Sequence, residues 1–290
     1  MTALPQRQLK YYMFDWDDNI LHMPTRIHLL RKTAAGWAPY SVTTAEFARI
    51  RRDTVNYRPR NDDWDSAFVD FYDVGRRGPL AFLADTRKAL RPILAGTARG
   101  APSFRTFKRA LIEGRLFAII TARSHSSAAI RRGVEYFIRR VLTPAEKQKM
   151  LRNLRKYIRY FGDDPAKYSD TRVLKNYLDL NHYRGVTSPE FQALMGRKLG
   201  GSESPEQAKK MAIREFVKHV VEQMKNRRGD EAVSVGFSDD DPHNVQAVEE
   251  YLRRELARAF PKFKFVVYDT SDRKRVGGRK ILIKRARRTA

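Results

Sequence analysis

Several short apolar runs along the chain each end abruptly in a polar cluster. Tyr11-Tyr12-Met13-Phe14 runs into Asp15-Trp16-Asp17-Asp18-Asn19. Leu116-Phe117-Ala118-Ile119-Ile120 runs into Thr121-Ala122-Arg123-Ser124, and Ala232-Val233-Ser234-Val235-Gly236-Phe237 into Ser238-Asp239-Asp240-Asp241. Periodicity alone does not separate a short buried strand from a buried helical turn, but bounded runs of this length suit strands. Runs apolar on both faces are the mark of parallel strands covered by helices on both sides. Tyr183-Arg184-Gly185-Val186 and Phe263-Lys264-Phe265-Val266-Val267-Tyr268 predict two more strands, and Ile281-Leu282-Ile283 an edge strand near the C-terminus.

Helical patterns lie between these runs. Ser103–Glu113 reads as a helix closed by Gly114. Thr143-Pro144-Ala145-Glu146 is a capping box with proline at the first helical position, and its helix puts Leu151, Leu154, Ile158 and Phe161 on one face. Ser204-Pro205-Glu206-Gln207 opens another helix, with Ile213, Phe216, Val217, Val220 and Met224 as its buried stripe. At 100° per residue Lys209 falls on that stripe, nearer its centre than Lys210. A lysine there either snorkels to water or meets an anion. Asp before Pro242 suits the cap of a helix over Val245–Phe260.

From Leu21 to Phe107 the strand signal is weak. Thr44-Ala45-Glu46-Phe47 opens a short helix that its threonine can cap. Asn61-Asp62-Asp63-Trp64-Asp65 reads as a cap leading to Phe68, Phe71 and Tyr72, and Gly75-Arg76-Arg77-Gly78-Pro79 as a turn. Phe82, Leu83 and Leu90 continue a helical pattern that stops near Pro92. The expected architecture is a doubly wound, Rossmann-like α/β parallel sheet. Its core spans residues 1–20 and 115–272, with a helical insertion at 21–114 and a basic tail at 273–290. Residues 1–8 read as a loose leader, and Gly200-Gly201-Ser202 as a flexible joint.

Composition changes this picture in one respect. The 290 residues hold 58 Lys+Arg against 33 Asp+Glu, a net charge of +25. Such an excess bears on partners, not on fold. Nucleic acid, anionic membrane surfaces and phosphorylated substrates all fit it. Arg152, Arg155, Lys156 and Arg159 lie away from the apolar stripe of their helix, as a solvated face or an anion-binding one. Residues 273–290 carry nine Lys/Arg and no acid, beginning with Arg273, Lys274 and Arg275. These seven are the candidate RNA or DNA contacts. The absence of cysteine excludes disulfides and thiol chemistry. No run reaches the ~18 apolar residues of a membrane span, and no apolar signal segment opens the chain. A soluble, intracellular protein is expected, most simply cytoplasmic. His22, His28, His125, His182, His219 and His243 show no zinc-type spacing. No glycine-rich phosphate loop is evident.

Placed together, the strand ends supply Asp15, Asp17, Thr121, Lys209 and the Asp239–Asp241 cluster. Crowded carboxylates repel one another, so such a cluster needs a cation or a shared proton. The residue types suit phosphoryl transfer. One carboxylate can act as nucleophile and a second can move the proton. A divalent cation with oxygen ligands can offset the charge, while a lysine and a hydroxyl hold the non-bridging oxygens. The plain structural reading is an acidic turn after one strand and a helix cap after another.

The chain resembles the haloacid dehalogenase-like (HAD) superfamily of phosphohydrolases. Phe14-Asp15-Trp16-Asp17-Asp18-Asn19 is similar to its first motif, Ile119-Ile120-Thr121-Ala122-Arg123 to its second, Lys209 to its third and Ser238-Asp239-Asp240-Asp241 to its fourth. The resemblance implies Asp15 as nucleophile, Asp17 as general acid/base, and Thr121 and Lys209 as phosphoryl ligands. It implies Mg²⁺ held by Asp15, the main-chain carbonyl of Asp17, and Asp239 or Asp240. The insertion would be a C1-type cap. The resemblance spans about residues 9–270, although only the motif residues are specific. Asp18 and Asn19 stand where the family commonly has Gly and Thr or Val, and Ser238 where it commonly has Gly. Lys210 is the alternate to Lys209, and the long stretch between the second and third motifs leaves room for a further insertion. The expected activity is phosphatase action on a phosphate monoester, with the charge favouring a nucleotide or nucleic-acid end. The competing expectation is a HAD-fold subunit of a nucleoprotein particle, such as a ribosome or virion.

Overall fold

A computed structural model describes residues 8–73, 78–196, 204–226 and 232–283. In chain order the first strand is β1 (Gln8–Phe14). The segment after it holds β2 (Ile27–Thr33), β3 (Gly36–Val42), α1 (Thr44–Ile50), β4 (Tyr57–Pro59), α2 (Trp64–Ala67), α3 (Ala81–Leu94) and α4 (Phe104–Ile112). Then come β5 (Phe117–Thr121), α5 (Ser127–Val141), α6 (Pro144–Tyr160), α7 (Asp170–Asp179), β6 (His182–Gly185), α8 (Pro189–Leu194) and α9 (Pro205–Gln223). The last elements are β7 (Ala232–Asp239), α10 (Pro242–Tyr251), β8 (Phe263–Asp269) and β9 (Arg279–Leu282).

The main sheet has the order β6-β5-β1-β7-β8-β9. Its first five strands are parallel, and β9 joins β8 antiparallel at the edge. The α/β expectation therefore holds, with helices on both faces. Strand side chains alternate between those faces. Leu9, Tyr11 and Met13 of β1 join the core formed with α9 and α10, where Ile213, Phe216, Val217 and Val248 are buried. Tyr12 and Phe14 point to the opposite core, shared with α4, α5, α6 and α7. Phe107 of α4 anchors this second core, its ring 5.3 Å from Phe14, 5.3 Å from Phe117 and 5.1 Å from Phe137, centre to centre. The long interval between β5 and α9 is taken up partly by α6 and α7, whose Met150, Leu154, Val173 and Tyr177 cover this face.

The insertion is not the helical block expected. Residues 27–59 form a three-stranded antiparallel sheet, β3-β2-β4, over a small core of Ile27, Leu29, Val42, Ala67 and Phe71. Alternation in Ile27-His28-Leu29 sends every second residue inward, and Thr33 pairs with Gly36 across the two-residue loop Ala34-Ala35. Pro39 sits in the edge strand β3, where a missing N–H is tolerated. The basic and polar residues on the exposed face masked this period-2 signal. The boundary at 114 also shifts, because Phe82, Leu90, Phe107 and Leu111 of α3 and α4 belong to the main core. Two local details differ as well. Thr43, not Thr44, caps α1 in a reciprocal box with Glu46, and α3 carries Pro92 inside its last turn.

The predicted edge strand near the C-terminus is present as β9. The remainder of the tail from 284, the leader up to 7, residues 75–77 of the expected turn at 75–79 and the joint at 200–202 lie outside the described residues.

Phe107 is fully buried among four aromatic rings. Phe107→Ala should cost about 3–5 kcal/mol in folding free energy, measured as a lowered urea midpoint with an unchanged slope.

Candidate active site

In the main sheet β1 is where strand order reverses. β5 and β6 lie to one side of it, β7 and β8 to the other. The crevice beyond the carboxyl ends of the strands at such a point is the usual ligand site of open α/β sheets. Asp15 directly follows β1 and Asp239 ends β7. The register of the two strands pairs Phe14 with Ser238, and the Asp15 amide donates to the Ser238 carbonyl at 2.9 Å. The two carboxylates are thus delivered side by side.

Lys209 reaches them from the second turn of α9. The Ser204 hydroxyl accepts from the Gln207 amide and fixes where that helix starts. The Lys209 ammonium donates to Asp15 Oδ1 at 3.0 Å and to Asp239 Oδ2 at 2.6 Å, and all three groups are buried. Burial by itself would lower the lysine pKa, but Asp15 and Asp239 overcome it and hold the ammonium above its ordinary value. Burial pushes the Asp15 carboxyl well up, aided by Asp239 and Asp17 and opposed by Lys209. Asp240 is likewise raised, by burial first and then by Asp239 and Asp15.

The three adjacent aspartates after β7 divide their roles. Asp239 Oδ1 accepts from the Asp241 amide at 3.0 Å and from Asn244 Nδ2 at 3.2 Å. Asp241 caps α10, accepting from the His243 amide at 2.9 Å. Asp240 keeps part of its surface open to the cavity. Oxygen atoms of Asp15, Asp239 and Asp240 lie within 4.8 Å of one another. Two of the three are buried and all are hard oxygen donors, a set that fits Mg²⁺.

Asp17 is placed differently. Arg123 grips it with two bonds, Nε to Oδ2 at 2.8 Å and Nη2 to Oδ1 at 2.6 Å, while the Thr121 hydroxyl lies 3.3 Å from Oδ2. The guanidinium is 1% exposed. It also donates to Thr25 at 2.7 Å and lies 4.6 Å from the Phe71 ring centre. Gly185 at the end of β6 admits the backbone carbonyls of Arg123 and His125, which any Cβ there would strike. This close approach fixes the loop that carries Arg123. Sequence reasoning quoted Arg123 within a motif without giving it a role. An arginine three residues past a fully apolar run, beside an acidic loop, was the available signal.

Asp18, Asn19 and Ser238, which depart from the pattern the chain resembles, are each tied into the structure. Asp18 takes a left-handed backbone, φ 50°, which aspartate tolerates better than most residues. Burial opposes its charge, yet bonds from His22 at 2.7 Å and Thr44 at 2.6 Å, with Arg273 at 3.0 Å, hold its carboxyl below the usual range. Asn19 donates to the Asp15 carbonyl at 2.8 Å and to Ser238 Oγ at 3.0 Å, and accepts from Thr270 at 2.8 Å. It clips the loop after β1 to β7 and to the end of β8.

The candidate nucleic-acid residues split. Arg152, Lys156 and Arg159 are exposed on α6. Arg155 instead donates to the carbonyls of Pro165 and Tyr168 and to Asp170, so it braces the turn before α7. Arg273 is committed to Asp18. Lys274 and Arg275 lie in the exposed turn that starts at Asp272. Among the described residues no helix is long and apolar enough to cross a membrane.

A cavity of about 230 Å³ opens above these groups, with Asp15, Asp17, Thr121, Arg123, Lys209 and Asp240 in its lining. The chain matches no protein-family model, no curated protein and no solved structure.

Raised carboxyl pKa values make a stability statement. Below about 3.8, the ordinary value, Asp240 is protonated folded or unfolded. As pH rises, the unfolded chain ionises first and the folded state loses ground. In EDTA, wild type should therefore lose stability relative to Asp240→Asn as pH rises from 4 towards 8. Mg²⁺ should narrow the gap. Thermal unfolding of both proteins across that range checks the slope.

Proposed function

We propose that this protein is a Mg²⁺-dependent phosphohydrolase of the HAD kind, acting on a phosphate monoester through an aspartyl-phosphate. The observation that carries the reading is the convergence of Asp15, Asp239, Asp240 and Lys209 at the reversal point of a parallel sheet. Four carboxylates, those of Asp15, Asp17, Asp239 and Asp240, meet the two buried cations Lys209 and Arg123. A floor of that sign repels a phosphate dianion unless further positive charge is present.

Asp15, Asp239 and Asp240 would hold Mg²⁺, which when bound neutralises carboxylate and phosphate charge. Asp15 attacks phosphorus and the ester oxygen leaves, so the P–O bond to the alcohol breaks as the Asp15–phosphorus bond forms. Asp17 gives its proton to the leaving oxygen, then takes one from the water that cleaves the acyl-phosphate. Arg123 donates to both Asp17 oxygens and Thr121 lies against Oδ2, which leaves the second lone pair of Oδ1 for the proton. Lys209 and the Thr121 hydroxyl steady the non-bridging oxygens.

Phosphate release should be tested on nucleotides, 5′- and 3′-phosphorylated oligonucleotides, sugar phosphates and simple alkyl phosphates. Turnover should require Mg²⁺ and vanish in EDTA. Asp15→Asn should reduce it to background, and Asp17→Asn should lower kcat by about 10²–10⁴-fold. No Mg²⁺-dependent release from any ester would refute the assignment.

A second reading has one observation in its favour, the exposure of Arg152, Lys156 and Arg159 on one helix. It is attachment to RNA or DNA, within a nucleoprotein particle or as a tether for the enzyme. Affinity should then fall steeply with salt, by about one log–log slope unit per phosphate contact. Arg152→Ala with Arg159→Ala should flatten that slope by about two. Binding that ignores salt, or no binding, sinks this reading.

A further inference from the structure

The cavity above Asp15 has two unlike halves. Its floor is ionic, while its wall comes from the insertion and is dominated by Ile27, Phe47, Ala48, Phe68 and Phe71. The rings brace one another edge-to-face, Phe47 to Phe68 at 5.4 Å and Phe68 to Phe71 at 5.5 Å between centres. Phe71 is also tied to the floor. Its carbonyl accepts from the Ser124 amide at 3.1 Å, and its ring lies against the Arg123 guanidinium. The apolar wall is therefore built into the site at a fixed distance from the phosphoryl position.

The polar groups around the aromatic rings are already engaged, and the two buried atoms of the lining without a partner, Asn244 Oδ1 and Arg123 Nη1, belong to the ionic floor beside Asp239 and Asp17. Ser124 and Thr187 bond to each other at 2.7 Å, and Thr187 also donates to the Ala122 carbonyl. The Thr44 hydroxyl goes to Asp18 and the Tyr72 hydroxyl to Asp65. Arg51 pairs with Glu206 at 3.2 Å and Asp241 at 3.3 Å. A sugar or glycerol moiety entering here would give up water for its hydroxyls and find these groups occupied, which is costly. An aromatic ring would exchange water for ring contacts. At about 230 Å³ the cavity is smaller than the ~300–1,000 Å³ of typical ligand pockets. It suits a phosphoryl group and a single ring.

We propose that the site selects phosphate monoesters whose leaving group carries one flat apolar ring next to the phosphate, and that Phe47, Phe68 and Phe71 make the selection. This rests on the phosphohydrolase reading for its chemistry, but the preference can be measured without turnover. The chain's net charge of +25 would favour polyanions; the wall of the cavity favours a compact, apolar ester.

Benzyl phosphate, glycerol 3-phosphate and glucose 6-phosphate are all alkyl esters, so their comparison avoids the ease with which phenols leave. With Mg²⁺, kcat/KM should be at least about tenfold higher for benzyl phosphate, within the ~10–200-fold range of apolar pockets. Phe68→Ser should move the ratio towards one. In parallel, calorimetry in Mg²⁺ should find benzylphosphonate bound at least about tenfold tighter than 2,3-dihydroxypropylphosphonate. This wild-type measurement needs neither turnover nor a folded variant. Selective binding without hydrolysis of any ester would keep the selectivity and remove the phosphohydrolase reading. Hydrolysis without preference for the ring would do the reverse. Equal binding of the two phosphonates, binding of neither, or nucleoside monophosphates outperforming benzyl phosphate would overturn the proposal.

Discussion

The whole arrangement depends on holding like charges together where β1 and β7 end. Buried carboxylates at hydrogen-bonding distance from a common point repel each other, and burial strengthens the repulsion. Lys209 between Asp15 and Asp239 makes the cluster tolerable. Its place requires α9 to start at Ser204 and to pack Ile213, Phe216 and Val217 on the sheet. Parallel pairing of β1 with β7 fixes the two aspartates relative to each other. The Asn19 bonds to Asp15, Ser238 and Thr270 then keep the loop after β1 from drifting out of that register. Large parts of the fold thus serve one electrostatic compromise, and the compromise is incomplete: Asp15 and Asp240 still have raised pKa values. That residual cost, from burial first and from carboxylate repulsion second, is what a cation or a shared proton would relieve.

Arg123 carries the constraint outward. It joins Asp17 on the floor to Thr25, Phe71 and Phe82, which precede β5 in the chain. Thr25 passes the connection on to Asp85 of α3 at 2.7 Å. A buried guanidinium needs such partners, and its two bonds to Asp17 are geometrically demanding. Displacing Phe71 or Thr25 would therefore disturb the carboxylate proposed for proton transfer. On the proposed reading the insertion would bear on chemistry through this arginine, and on selectivity through its apolar wall.

The main sheet was legible because its strands are buried on both faces. Residues Phe117–Ile120, with no polar residue among them, permit little else. Lys209 was legible because a charge on an apolar stripe is conspicuous. The small sheet was not. Its strands face solvent on one side, so His28, Arg31 and Lys32 dilute the alternation, and Pro39 argues against a strand until its edge position is known. The role of Arg123 was illegible for another reason. Its partners Asp17, Thr25 and Phe71 are distant in sequence, and no local pattern encodes a bidentate contact. Dividing Asp239, Asp240 and Asp241 among lysine pairing, the open cavity and helix capping likewise needed the turn between β7 and α10.

Net charge is the feature that the structure most changes in meaning. Read from the sequence, 58 basic residues advertise a polyanionic partner. Several of those singled out have internal work instead. Arg155 closes the turn before α7, Arg273 stabilises the left-handed Asp18, and Arg123 and Lys209 are sealed in the site. The region that would receive a phosphate has a carboxylate floor and an aromatic wall, opposite in character to the surface average. Long-range attraction and local selection are therefore separate properties of this molecule. The positive exterior can raise the local concentration of any anion, including polyanions. On the proposed reading, which phosphate ester reaches Asp15 would be decided by the contacts inside the cavity, where Phe47, Phe68 and Phe71 would meet the leaving group and bulk charge would have little say.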